Sequence, residues 1–109
     1  MKLKIYSIHD KAADAFAQPF FVHTVGIATR MFADNVNAKE DNHVNKHPEH
    51  YSLFELGEYD DASGTFILHE RPELIHTALE LVEPTPETDL LKEIRSLRGE
   101  LATLKTETK

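Results

Sequence analysis

Lys2, Lys4 and Tyr6 recur at alternate positions near the start of the chain. On an extended strand they project from one face, two ammonium groups beside an aromatic ring. Single-strand nucleic-acid binders combine those two functions. Cations follow the phosphates while rings stack on bases, each stacked base contributing about 1–3 kcal/mol. Arg30, Lys39 and Lys46 extend such a surface if the helix and loop that carry them lie on the same side. The bland alternative is an ordinary edge strand, whose lysines keep other chains from adding to it.

His43, His47 and His50, with Asp41 and Glu49 close by, form a second group. Neutral imidazoles are good zinc ligands. The segment contains Pro48 and reads as a loop, so it lacks the helical i, i+4 register of the zinc-protease type. The sequence therefore assigns no metal here, and histidines that titrate near neutrality are the milder reading. The carboxylates of Glu55-Leu56-Gly57-Glu58-Tyr59-Asp60-Asp61 do not follow the ligand order of a calcium loop. Serines and histidines occur without a nucleophile motif around them. With no cysteine there is no disulfide framework, thiolate metal site or thiol nucleophile. No enzyme and no cofactor are expected.

The elements that must position these groups fit one domain, since the chain has 109 residues. With 40% hydrophobic and 28% charged residues it belongs with sequences that fold. No apolar run approaches the roughly 20 residues that span a bilayer, which suits a cytoplasmic protein. Net charge is −7, a field that repels phosphates. The charge is uneven, however, with Lys2 and Lys4 at one pole and Glu55, Glu58, Asp60 and Asp61 at another.

Residues 2–9 alternate as a strand, with Leu3, Ile5 and Ser7 expected to face the core. Pro19-Phe20-Phe21 breaks the chain and offers two apolar anchors. Thr24 caps a helix to about Asn37, with Val25, Ala28, Met31, Phe32 and Val36 on its apolar stripe. Residues 37–50 form a long polar loop. Leu53–Tyr59 and Thr65–His69 form a hairpin whose turn, Asp60 to Gly64, has an Asp to bond back onto the backbone and a Gly for positive φ. Arg71-Pro72-Glu73 opens a second helix with Leu74, Ile75, Ala78, Leu79 and Val82 on its apolar face.

Beyond the prolines at 84 and 86, Leu90, Ile94, Leu97, Leu101 and Leu104 recur at heptad spacing. Glutamates at g and Arg98 and Lys105 at e favour parallel strands, a dimer or higher. The expected architecture is an α+β domain over residues 1–83, a small antiparallel sheet with helices in the order β-α-β-β-α. A proline-containing linker follows at 84–88, then a coiled-coil oligomerisation helix at 89–109.

Four pieces in this order resemble the small nonstructural DNA-binding protein of gokushovirus-type microviruses, phages with single-stranded DNA genomes. They are Met1-Lys2-Leu3-Lys4-Ile5-Tyr6-Ser7-Ile8 followed by Asp10, Pro19-Phe20-Phe21, Lys46-His47-Pro48-Glu49, and Leu56-Gly57-Glu58-Tyr59-Asp60-Asp61 with Gly64. The resemblance covers about residues 1–82, and the heptad tail departs from the shorter family pattern. It implies non-enzymatic binding of DNA, single-stranded by preference and with little sequence specificity. The setting would be genome replication, or the switch to single-strand synthesis and packaging, in the bacterial cytoplasm. An oligomeric adaptor that recruits replication or assembly proteins, without touching nucleic acid, is the alternative.

Overall fold

The computed structural model describes residues 1–83. Alternation from Lys2 onward gives β1 (Lys2–Asp10). The chain turns on the Asp10 carboxylate, which accepts the N–H groups of Ala12 and Ala13. It then returns along the same edge of β1 in two pieces, β2 (Ala15–Phe16) and β3 (Phe20–Val22). Pro19, which has no N–H to donate, lies in the gap between them.

Thr24 caps α1 (Val25–Val36), its hydroxyl accepting the Ile27 N–H at 3.2 Å. Ala28, Phe32 and Val36 form its buried stripe. The Asn37 side chain then donates to the Ala33 and Leu81 carbonyls and accepts the Glu83 N–H. One amide so ties the end of α1 to residues 81–83. A short α2 (His43–Lys46) and a 3-10 turn (Pro48–His50) lead into β4 (Tyr51–Asp60). The acidic turn follows, then β5 (Thr65–Thr77) and α3 (Ala78–Leu81). In the turn Asp60 accepts the Ala62 N–H with its carboxylate and the Gly64 N–H with its carbonyl, and Gly64 has φ +70°.

The five strands make one antiparallel sheet in the order β2-β1-β4-β5, with β3 sharing the outer edge of β1 with β2. The core lies between one sheet face and the helices, where Tyr6 and Leu53 meet Ala28, Phe32, Val36 and Ala78. Both ladders of β4 break at one level. Register passes from Ile5 opposite Gly57 to Tyr6 opposite Glu55, and from Leu68 opposite Gly57 to Glu73 opposite Glu55. Leu56 is therefore an extra residue against β1, while residues 69–72 bow out of β5. Pro72 sits in that bow, where no ladder donor is needed. No helix among the described residues is long and apolar enough to cross a membrane.

Several expectations are corrected. The fold is mostly antiparallel sheet with short helices, not an α+β domain in the order β-α-β-β-α. The segment read as a helix from residue 71 extends β5 to Thr77, and only Ala78–Leu81 is helical. Its apolar residues satisfy a helical stripe, but pairing with β4 satisfies the backbone first. The faces of β1 are reversed as well. The helix-covered side is that of Tyr6 and Ile8, although Ile5 and Ser7 are also buried. The cations and acids do not occupy separate poles, because Asp60 pairs directly opposite Lys2 and Glu58 opposite Lys4. The linker at 84–88 and the helix at 89–109, with Leu90, Ile94, Leu97, Leu101 and Leu104, lie outside the described residues.

Gly57 has φ +154°, and a Cβ there would meet the Ile67 carbonyl oxygen at 2.3 Å and the Leu68 Cα at 2.7 Å. The Gly57→Ala variant should lose about 3 kcal/mol of stability, combining overpacking with backbone strain. Gly64 opens onto free space, so Gly64→Ala should lose only about 1 kcal/mol, the left-handed penalty alone. Urea unfolding of both variants checks the order.

Candidate functional site

Beside the bulge at Leu56 a carboxylate lies buried on the Tyr6 side of the sheet. Glu55 is only 8% exposed, yet its oxygens are met. The Tyr6 hydroxyl donates to Oε1 at 2.9 Å, His69 Nε2 lies 2.7 Å from Oε2, and the Lys4 ammonium stands 3.6 Å from Oε1. Burial alone would raise the Glu55 carboxyl, but the bonds from His69 and Tyr6 and the charge of Lys4 outweigh it and hold it below the usual carboxylate range. Tyr6 is pushed well above the usual phenol range, by burial first and then by its bond to Glu55. Glu55, His69 and Glu73 offer ligand atoms within 4.8 Å of one another. That trio does not suit a metal, because the His69–Glu55 hydrogen bond and the neighbouring ammonium already occupy the carboxylate.

The other sheet face has a different chemistry. Residues paired across an antiparallel ladder share a face. Leu3 pairs with Tyr59, Ile5 with Phe21, Ser7 with Phe54, His9 with Phe16, and Tyr59 with Phe66. Two ring clusters result. Phe16 lies 4.6 Å from His9 and 5.5 Å from Phe54 between centroids, and Tyr59 lies 4.8 Å from Phe66 and 5.8 Å from Phe21. Phe16 is 46% exposed, Phe21 43% and Phe66 56%. Leu68, paired with Gly57, continues the apolar surface. None of these paired positions is a carboxylate. The strand acids Glu55, Glu58, Asp60 and Glu73 pair among themselves and with Lys2, Lys4 and Tyr6 on the helix side.

The cationic stripe is thus redistributed. Tyr6 is wholly buried and cannot stack on a base, which corrects the expectation for that ring. Lys4 faces Glu58 across the ladder and approaches Glu55, and exposed Lys2 faces Asp60. Arg30 is exposed on α1, while Lys39 and Lys46 are exposed in the segment between α1 and β4. The rings at 16, 21, 54, 59 and 66 were missed as a group. Phe54 and Tyr59 are five apart and would lie on opposite faces of a regular strand. The extra residue at Leu56 reverses the alternation and brings them to one side.

Residues 3–81 match the family described as Phage ORF5 protein. The chain belongs to that family. It is accordingly a phage protein, and the match spans the whole sheet and its helices. No curated protein and no solved structure matches it.

The Glu55 network sets an acid dependence in this Phage ORF5 domain. Its folded pKa lies below its unfolded one, so its stabilisation is complete above the ordinary carboxylate value of about 4.3 and is lost as pH falls through the folded value. Glu55→Gln should flatten the acid limb of a stability–pH curve measured by urea midpoints. Tyr6→Phe keeps the ring but removes a donor to a buried charge, and should lose about 1–3 kcal/mol near neutral pH.

Proposed function

We propose that this phage protein binds single-stranded DNA by stacking unpaired bases on the open aromatic face of its sheet, in support of genome replication. The observation that supports this reading is the pair of exposed ring clusters, Phe16 with Phe54 and His9, and Phe21 with Tyr59 and Phe66. Aromatic platforms bind single strands without reading sequence, because every base has a π-face. A paired duplex hides those faces, hence the preference for single strands.

The acidic net charge is compatible with such binding because the paired strand acids Glu55, Glu58, Asp60 and Glu73 lie on the opposite face. Phosphates above the rings would meet Asp14, which lies 3.3 Å from His9 Nε2, but none of those paired carboxylates. Affinity then comes from stacking more than from ion pairing. The likeness to the nonstructural proteins of gokushovirus-type microviruses supports the finer assignment: replication of a single-stranded genome, or the switch to its packaging, in the bacterial cytoplasm.

A second reading rests on the same surface. An apolar face that helices do not cover also suits a protein partner or another copy of the chain. On that reading the protein is an oligomeric adaptor.

Fluorescence anisotropy with labelled single- and double-stranded oligonucleotides separates the two. Phe21→Ala and Phe66→Ala should each weaken single-strand binding by roughly 5- to 100-fold, the equivalent of one lost stacking contact. Affinity should fall only gently with salt, since few phosphates are neutralised. If both variants bind as the parent does, stacking is refuted. If they leave oligonucleotides unaffected but change the mass seen by light scattering, the adaptor reading replaces it.

A further inference from the structure

We propose that His47, Glu49 and His50 form a binding site for one divalent transition-metal ion of the zinc class. This is independent of the nucleic-acid reading. His47 Nδ1 is 3.7 Å from Glu49 Oε1, and His50 Nε2 is 3.9 Å from the same oxygen. All three ligand atoms lie within 4.8 Å of one another. Tetrahedral zinc with bonds of about 2.0–2.2 Å spaces its ligand atoms roughly 3.3 Å apart. The difference is a few tenths of an ångström for the two shorter separations. Exposed imidazoles absorb it by rotation about χ2, a broad torsion. The ring centroids are 5.7 Å apart, near the roughly 5 Å that two imidazoles take around a shared ion.

The backbone explains why these side chains converge. His47 immediately precedes the 3-10 turn and His50 is its last residue, so one short turn sets the two rings side by side. Pro48 fixes φ inside the turn. The His50 N–H donates to the His47 carbonyl at 3.0 Å, closing the turn, and the Lys11 N–H donates to the His50 carbonyl at 2.7 Å. Ahead of it, the Asn42–Asn45 capping box holds α2, and Asn45 also donates to the Ala38 and Glu40 carbonyls.

The donor set selects the metal. Two imidazoles and one carboxylate suit zinc, nickel, cobalt or copper, whereas magnesium and calcium require oxygen ligands. The remaining coordination positions face solvent and would take water. The Glu55–His69–Glu73 trio lacks this freedom, because its carboxylate is already held by Tyr6, His69 and Lys4.

Titration calorimetry of the full, tag-free chain with zinc chloride tests the site, with visible absorption of bound Co2+ as a second readout. One ion per chain is expected, with affinity at least tenfold weaker in His47→Ala and in His50→Ala. His43→Ala and Glu73→Gln should bind as the parent does, and far-UV circular dichroism should show every variant folded. Zinc should also raise the thermal midpoint of the parent and leave those of the His47 and His50 variants unmoved. Absence of binding at millimolar zinc would overturn the site. So would affinity that survives both variants, or that is lost instead in Glu73→Gln.

Discussion

A buried carboxylate must be matched by donors, and Glu55 imposes that demand on the sheet of this protein. Leaving such a charge unpaired would be costly. Donors come from both neighbouring strands, Tyr6 from β1 and His69 from β5, while Lys4 balances the charge. Convergence from two sides is achieved where both ladders of β4 lose register, at Leu56. The bulge and the buried polar network are one structural feature. Gly57, adjoining it, lets the β5 backbone come closer than a side chain would permit.

The same irregularity divides the chemistry of the sheet. Alternation before Leu56 and after it runs in opposite phase, so Phe54 and Tyr59 share a face although their numbers differ in parity. Glu55 and Glu58 share the other. Acids and cations are collected on the helix side, where Lys2 and Lys4 lie across from carboxylates. The paired positions of the opposite side hold rings and aliphatic groups, with Asp14 beside His9. A small sheet covered by helices on one face buries little core, and what remains exposed on the other is a surface suited to bases or to another protein.

The polar segment between α1 and β4 is built rather than loose. Asparagines cap α2 and hold neighbouring carbonyls, and the following 3-10 turn is tied to the residue after β1. Such a segment can hold side chains in fixed relation, as a structureless tip of similar composition cannot. Two of its histidines converge across that turn, His47 just before it and His50 at its end, with ring centroids 5.7 Å apart.

Local signals in the chain decided several elements by themselves. Thr24 capped the first helix, Ala28, Phe32 and Val36 gave it an inward stripe, and Asp60 with Gly64 specified the hairpin turn, all through interactions within a few residues. Phage origin was likewise legible in short motifs spread over the domain. Long-range pairing decided the rest. Residues 71–77 have the apolar spacing of a helix but lie in a strand, because β4 offers their backbone a partner. Tyr6 alternates with lysines as a surface residue would, yet lies buried because Glu55 and α1 meet it from distant parts of the chain. Periodicity reports a face only while register is unbroken, and a one-residue bulge is a property of the paired strands, which no single segment reveals.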